Sequence, residues 1–252
     1  MITLSLNGRQ QGRTIVAKVY LLVVYMTEKV LCVSEKVSKS RGMGGVCLDM
    51  KVVFIGPATV GKTSLIGRYC TNTFRPELLS TIGVSFFSHP VIADDCDVTL
   101  MIWDTAGEER FRSVAPSLLR GSDGIVLVFD LMREESFDDL SIYYDMFVNT
   151  VTIPDDSDPP ILLLGNKNDL LEGKDISQEF KQRIESWREE RQIKLYSHVS
   201  AKTGFGVNDA MFRLAKLLVN RKGYGCDAIK NTANIVLQPV EVEEAPQSRR
   251  CC

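Results

Sequence analysis

Residues 50–63 read MKVVFIGPATVGKT, an apolar run followed directly by a glycine-rich turn. The run 50–55 has the length and composition of a buried strand. Residues 56–63 fit the pattern GxxxxGK[ST], and a helical pattern follows at 64–70. Glycines let such a turn curl until its backbone amides point at phosphate oxygens, helped by the N-terminus of the helix. We therefore interpret this stretch as a phosphate-binding loop between a strand and a helix.

Apolar runs elsewhere in the chain predict the rest of the fold. Buried strands are expected at 98–103, 124–129 and 161–164, with a weaker one at 195–199. Apolar residues at helical spacing lie between or after them, at Ile176, Phe180, Ile184 and Trp187 and again at Val207, Met211, Leu214 and Leu218. This alternation predicts an α/β fold with a parallel sheet. The run 82–92 is also strand-like, but Pro90 lacks an amide donor, so we place that strand at a sheet edge.

Composition excludes several classes of protein. Of the 252 residues, 44% are hydrophobic and 25% charged, which is typical of a globular protein and not of a collagen-like or polytopic membrane protein. A net charge of −2 gives no global field for nucleic acid, so no nucleic-acid partner is expected. The seven cysteines form no CxxC pair, and two histidines cannot complete a zinc site of usual spacing. A reduced, intracellular setting is the simpler interpretation.

Polar residues in and beyond the loop predict how a nucleoside triphosphate would be bound. Lys62 can neutralise charge on the β- and γ-phosphates, and the Thr63 hydroxyl can ligate Mg²⁺. Asp104 follows a predicted strand and fits a water-mediated Mg²⁺ ligand, while Gly107 can approach the γ-phosphate closely because it has no side chain. Thr81 lies in a loop before the edge strand, where its hydroxyl can complete the Mg²⁺ coordination. We therefore predict Mg²⁺ as a cofactor.

A second motif indicates which base is bound. The tetrapeptide NKND at 166–169 follows a predicted strand. A carboxylate at Asp169 can accept hydrogen bonds from N1–H and the N2 amine of guanine, whereas adenine has neither donor, so GTP is favoured over ATP. The tripeptide SAK at 200–202 follows a further strand and can close the other side of the base. The residues predicted at the base are Asn166, Lys167, Asp169, Ser200, Ala201 and Lys202.

Together these segments resemble the Ras superfamily of small GTPases, and the Rab family most closely. Stretches similar to Rab proteins are IGVSF at 82–86, MIWDTAGEERF at 101–111, LRG at 119–121 and FD at 129–130. The resemblance covers roughly residues 51–218. It implies the P-loop small GTPase fold, with a six-stranded, mostly parallel sheet, one antiparallel edge strand, and helices on both faces.

The resemblance also implies a GTP/GDP switch that hydrolyses GTP. Two loops, at about 74–83 and 106–121, would order around GTP and loosen after hydrolysis. Phe74 would stack on the guanine base, and Lys62 and Glu108 would be the catalytic residues. An exchange factor, an activating protein, a GDP-dissociation inhibitor or escort protein, and effectors would bind through these loops. The nucleotide contacts implied near the phosphates are Gly56, Thr59, Val60, Gly61, Lys62, Thr63, Ser64, Thr81, Asp104 and Gly107.

The chain ends in Arg249-Arg250-Cys251-Cys252. Rab proteins commonly end in two cysteines that are both geranylgeranylated, and the pattern of single prenylation, C-a-a-X, is absent here. Two lipid chains give stable attachment where one is marginal. The resemblance therefore implies a monomer on the cytoplasmic face of intracellular membranes that cycles through the cytosol and regulates vesicle transport.

Three regions are predicted along the chain. Residues 1–49 are basic, show little periodicity, and are interpreted as a poorly ordered extension, unless translation starts functionally at Met50. Charged residues rather than a small-residue cleavage site follow the apolar part of this extension, which disfavours a secretory signal. Residues 50–220 form the acidic GTPase domain, and residues 221–252 form a flexible hypervariable tail.

Three positions depart from the Rab pattern. Glu108 stands where a glutamine normally positions the attacking water, which leaves open whether hydrolysis is slowed or accelerated. A GTP-bound scaffold with little hydrolysis is therefore the alternative function, and an ATP-using P-loop enzyme is a rival that the NKND motif disfavours. Ala58 is within the usual range, whereas the bulkier Thr59 is expected to perturb the phosphate loop slightly. Residues 118–119 are leucines in place of the paired tyrosines of a partner-facing surface.

Overall fold

The computed structural model describes residues 47–76, 81, 83–105, 107, 115–153 and 159–224. Glu108, Cys251 and Cys252, for which the sequence predicts roles, lie outside these residues, as do most of both terminal regions. The strands are β1 (Cys47–Ile55), β2 (Val84–Ala93), β3 (Cys96–Thr105), β4 (Gly124–Asp130), β5 (Ile161–Asn166) and β6 (Leu195–His198). The helices are α1 (Lys62–Thr71), α2 (Ala115–Leu119), α3 (Glu135–Asp138), α4 (Leu140–Val148), α5 (Gln178–Glu190) and α6 (Val207–Arg221), with a 3₁₀ turn at Asn168–Leu171.

The strands described here form one sheet in the order β2-β3-β1-β4-β5-β6. All neighbouring pairs are parallel except β2 and β3, which are antiparallel. Pro90 lies in β2 opposite Thr99 of β3, and β2 has a neighbour on one side only, which is the position in a sheet where proline is tolerated. The predicted α/β fold with one antiparallel edge strand is confirmed.

Alternating side chains of the strands build two apolar clusters, one on each face of the sheet. Val52 and Phe54 of β1 belong to the cluster that helices α1 and α6 cover. Val53 and Ile55 point to the opposite face, where α3, α4 and α5 contribute side chains such as Phe180. The central strand β4 is buried along its whole length because both of its faces are covered. These layers hold the carboxyl ends of the strands in a fixed arrangement.

Several details differ from the sequence-based expectation. Strand β1 begins at Cys47, three residues before the predicted domain boundary, because residues 47–49 pair with residues 97–99 of β3. Helix α6 continues to Arg221, one residue beyond the predicted end. Leu118 and Leu119 are buried in the cluster beneath α4 rather than displayed on a partner-facing surface. The sequence had not indicated the helices α3 and α4.

At the amino ends of the strands, the last described residues of the chain return to the sheet. The Cys96 thiol donates to the carbonyl oxygen of Tyr224 over 3.8 Å, and Lys222 forms an ion pair of 2.8 Å with Asp123. Cys47 pairs with Asp97, the neighbour of Cys96. In the part of the chain that the structure describes, no helix combines the length and apolar character needed to cross a membrane.

Candidate functional site

A pocket of about 440 Å³ lies at the carboxyl ends of the strands. It opens where the chain order in the sheet reverses, because β1 has β3 on one side and β4 on the other. Open α/β sheets bind ligands at such a point, since the loops on the two sides diverge there. The loops after β1, β3, β5 and β6 all contribute residues to its lining.

The loop after β1 has the shape of an anion cradle at the start of helix α1. Gly61 precedes the helix with a φ of 94°, and a side-chain carbon at this position would lie 2.4 Å from the Asn166 amide nitrogen. Only glycine fits there without a shift of that side chain. Thr59 also has a positive φ, of 65°, which is unusual for a β-branched residue. Thr59 therefore has a backbone conformation that favours glycine, and the expected perturbation of the loop stays a prediction.

The Lys62 ammonium lies inside this loop. It donates to the carbonyl oxygens of Gly56 and Pro57, each at 2.8 Å, and the residue is only 5% exposed. Burial lowers the pKa of Lys62 to about 8, while the nearby Asp104 carboxylate acts in the opposite direction. A side-chain carbon at Gly107 would lie 2.4 Å from the Lys62 nitrogen, which explains why this position needs glycine. A buried cation of this kind is suited to an anionic ligand.

Three oxygen-bearing side chains meet beside Lys62. The Thr63 hydroxyl donates to Asp104 Oδ2 at 2.7 Å, and the Thr81 hydroxyl lies 2.7 Å from Thr63 Oγ1. Because Thr63 has a single proton, which goes to Asp104, Thr81 must be the donor to Thr63. Asp104 Oδ1 is buried without a hydrogen-bond donor among the residues that the structure describes. Burial raises the pKa of Asp104, opposed by the Thr63 hydrogen bond and by Lys62.

This oxygen cluster fits a hard divalent cation. Mg²⁺ prefers oxygen ligands and keeps several waters, and two hydroxyls beside a carboxylate match that preference. The unpartnered Asp104 oxygen is the kind of atom that a metal-bound water would satisfy. The residues predicted as metal ligands, Thr63, Thr81 and Asp104, are therefore brought together by three different segments of the chain.

At the other end of the pocket, Asn166 joins two loops. Its side-chain nitrogen donates to the Val60 carbonyl at 2.8 Å, and its side-chain oxygen accepts from the Ala201 amide at 3.1 Å. The residue is buried. Asn166 therefore fixes the phosphate loop relative to the loop after β6, and this bracing role was not evident from the sequence.

Asp169 is held in place by its neighbours in the SAK tripeptide. Its Oδ1 accepts from the Ser200 hydroxyl at 2.6 Å, and its Oδ2 lies 3.8 Å from the Lys202 ammonium. The carboxylate side chain is 14% exposed and lines the pocket. Lys167, in contrast, forms an ion pair of 2.7 Å with Asp130 at the end of β4. Asp169 therefore provides a hydrogen-bond acceptor in a fixed position in the pocket.

The structure collects the predicted nucleotide contacts around this one pocket. Gly56, Val60, Asp104 and Ser200 lie behind the lining and support it. The predicted residues that line the pocket directly are Thr59, Gly61, Lys62, Thr63, Ser64, Phe74, Thr81, Gly107, Asn166, Lys167, Asp169, Ala201 and Lys202. The lining residues outside the predicted set of contacts are Ala58, Arg75, Pro76, Thr105 and Leu170. Their proximity to the motifs in sequence is the only signal that could have indicated them.

Comparison with known proteins gives the family. Residues 51–220 match the Ras family. The chain is 40% identical over 210 residues to the Ras-related protein Rab-7b of Bos taurus, an alignment that covers 81% of this chain and 97% of that protein. It is 34% identical to RABG3b of Arabidopsis thaliana, over 81% of this chain and 95% of that protein. The match to Rab-32D of Dictyostelium discoideum is 34% over 69% and 75% of the two chains. The chain therefore belongs to the Ras family and is a Rab-type small GTPase, which hydrolyses GTP to GDP.

Proposed function

We propose that this Rab-type GTPase is a guanine-nucleotide switch that binds GTP or GDP together with Mg²⁺ and regulates vesicle transport from a membrane surface. The proposal rests on one observation: a single pocket has a carboxylate at one end and, at the other end, an ammonium group beside hydroxyl and carboxylate oxygens. A fixed carboxylate, Asp169, lies at one end, and the buried Lys62 lies beside the Thr63 and Asp104 oxygens at the other. A guanine base and a magnesium-bound phosphate chain are complementary to these two ends.

The base end supports guanine over adenine. The Ser200 hydroxyl donates to one oxygen of Asp169 and the Lys202 ammonium lies 3.8 Å from the other, so the carboxylate is held in place where it lines the pocket. Guanine offers two donors to such an acceptor. Adenine offers none at the corresponding positions, so its binding would leave a desolvated carboxylate unpaired. An ATP-using enzyme is therefore the weaker candidate.

At the end of the pocket near Lys62, groups of this chain are placed to neutralise the negative charge of nucleotide phosphates. The amides of the phosphate loop and the Lys62 ammonium would bind the β- and γ-phosphate oxygens. Mg²⁺ would be held by the Thr63 and Thr81 hydroxyls, with Asp104 acting through water, and would offset the negative charge of the triphosphate. Glu108 would accept a hydrogen bond from the attacking water, but its charge repels the γ-phosphate and it lacks the donor of a glutamine amide. We therefore infer slow intrinsic hydrolysis, and a long-lived GTP-bound scaffold is the second candidate that Glu108 favours.

Membrane attachment and partner binding complete the proposal. Cys251 and Cys252 would carry two prenyl groups and hold the protein on the cytoplasmic face of an intracellular membrane. The loops at 74–83 and 106–121 would bind an exchange factor, an activating protein, effectors, and a GDP-dissociation inhibitor or escort protein. The protein would act as a monomer and return to the cytosol when such an inhibitor covers its lipids.

The deciding experiment compares the affinities of GTP, GDP and ATP by titration, with and without EDTA, and follows hydrolysis in the same preparation. We expect GTP and GDP to bind much more tightly than ATP, and EDTA to weaken GTP binding more than GDP binding because GTP carries more negative charge than GDP. Comparable ATP affinity would contradict the guanine assignment. Tight GTP binding without measurable turnover would favour the scaffold.

A further inference from the structure

An arginine from outside the nucleotide motifs lies on the phosphate loop. Arg133 is exposed, and its guanidinium donates from Nη1 to the Thr59 hydroxyl at 3.2 Å and from Nη2 to the Ala58 carbonyl at 3.0 Å. Both loop residues line the pocket. Arg133 is 74 residues from Thr59 in sequence, and it belongs to none of the motifs described above. A guanidinium with two bonds to one loop restrains that loop more than a single-point contact does.

Hydrogen bonds also hold the backbone of Arg133 in place. The Arg133 amide donates to the Asp130 carbonyl at 3.0 Å, and the Arg133 carbonyl accepts from the Ser136 hydroxyl at 2.6 Å. The Asp130 carboxylate accepts from the Met132 amide at 3.0 Å and pairs with Lys167 at 2.7 Å. The turn after β4 is therefore tied to the base-recognition motif through Lys167. Arg133 extends that connection to the phosphate loop.

The backbone conformation of Thr59 explains why the contact with Arg133 matters. Its φ of 65° lies in the left-handed region, which β-branched residues adopt rarely because Cβ and its two substituents crowd the backbone. A residue in such a conformation persists only when its surroundings fix it. The two bonds from Arg133 fix the Thr59 side chain and the carbonyl that precedes it. Glycine would adopt this conformation freely and would need no such support.

We propose that Arg133 is a positioning residue of the phosphate loop: by binding Thr59 and Ala58, it holds the loop in the conformation that retains nucleotide phosphates and so slows GDP and GTP release. This inference rests on the proposed guanine-nucleotide site and adds a determinant of its kinetics. It also assigns Thr59 and Arg133 to one functional pair, in which the arginine compensates for the absence of a glycine.

The test measures release of a fluorescent GDP analogue, N-methylanthraniloyl-GDP, after an excess of unlabelled GDP is added. Arg133→Ala should release the analogue about fivefold faster, since two partly solvated hydrogen bonds are lost. Arg133→Lys should be intermediate because a lysine can keep one of the two bonds. The matched control is Arg183→Ala, which removes another exposed arginine, one that pairs with Glu134 and Asp138 beside the same turn and not with the loop.

A second comparison separates positioning from general stability. In a Thr59→Gly background, Arg133→Ala should accelerate release by less than twofold, because the bond to the Thr59 hydroxyl is already absent and glycine keeps the positive φ without strain, so that only the bond to the Ala58 carbonyl is left to lose. The unfolding midpoint of the nucleotide-free protein should be the same for Arg133→Ala and Arg183→Ala. Release at the native rate from Arg133→Ala, or equal acceleration by Arg183→Ala, would overturn the proposal while GDP binding by the native protein still supports the switch. Absence of GDP binding in the native protein would overturn both.

Discussion

Replacing Asp169 by asparagine tests the base site with the smallest change in shape. Asp169 Oδ1 already accepts from Ser200, so the new amide has two orientations. If its oxygen keeps the Ser200 bond, its NH₂ group faces the N1–H and N2 donors of guanine. If the amide flips, the oxygen can accept from only part of that donor pair, and the Ser200 hydroxyl must turn to become an acceptor. Ser200 already accepts from the Thr203 amide at 3.1 Å, so its remaining capacity is limited.

Either orientation loses at least one charge-assisted hydrogen bond, which is worth about 1.5–3 kcal/mol. A loss of about 3 kcal/mol corresponds to a decrease in GTP affinity of about two orders of magnitude. Xanthine carries a carbonyl where guanine has its N2 amine, so xanthosine triphosphate should bind the variant better than the native protein. The affinities are measured by titration with both nucleotides. The matched control is Asp175→Asn, because Asp175 pairs with Lys181 outside the nucleotide pocket.

Unchanged GTP affinity in Asp169→Asn would contradict the assignment of the base site, since it would mean that the carboxylate makes no contact with the base. An equal decrease in GTP affinity in Asp175→Asn would refute it as well. That second result would show that loss of any nearby negative charge weakens binding. The expected pattern is a large effect at Asp169, a preference shifted toward xanthine, and no effect at Asp175.

Three further predictions concern the metal, the membrane and turnover. Thr63→Asn should lower GTP affinity more than GDP affinity in magnesium buffer, because GTP depends more on the cation; equal losses in a titration would count against a metal site at Thr63. Changing Cys251 and Cys252 together to serine should move the protein entirely to the soluble fraction, and one change alone should leave weak, reversible attachment; a doubly changed protein still on membranes would point to another anchor. Glu108→Gln should hydrolyse GTP faster than the native protein in a single-turnover assay without an activating protein, and a native rate equal or higher would remove the repulsion argument.

The sequence predicted those parts of the fold that are buried on both faces. Strands β4 and β5 appear as continuous apolar runs, so their positions follow directly from composition. The start of β1 could not be located in this way, because Cys47 and Asp49 are exposed, Leu48 is only partly buried, and all three pair with β3 alone. Helices α3 and α4 bury Phe137, Leu140 and Phe147, but the acidic residues among them conceal the pattern.

The residues of the candidate site also fall into two groups, those that local sequence patterns predict and those that they do not. Local motifs identified Lys62, Thr63 and Asp169, because each chemical role depends on a few adjacent residues and a known strand-turn context. Contacts between distant segments could not be predicted in the same way. The side chain of Asn166 forms hydrogen bonds to the backbone of two different loops. Arg133 contacts the phosphate loop from a turn that has no recognisable sequence motif. Such pairings depend on three-dimensional placement, which no single stretch of sequence specifies.

The contact between Cys96 and Tyr224 has a practical consequence for tagging the protein. Both ends of the described domain lie at the amino ends of the strands, since Cys47 pairs with the residue next to Cys96. The nine residues of β1 span roughly 26 Å, because consecutive residues in a strand are about 3.3 Å apart, and this length separates both ends from the nucleotide pocket. A fluorescent protein fused ahead of Cys47 would therefore begin well away from the pocket mouth. It would also leave the C-terminal cysteines available, so nucleotide exchange and membrane recruitment could be followed in the same fusion.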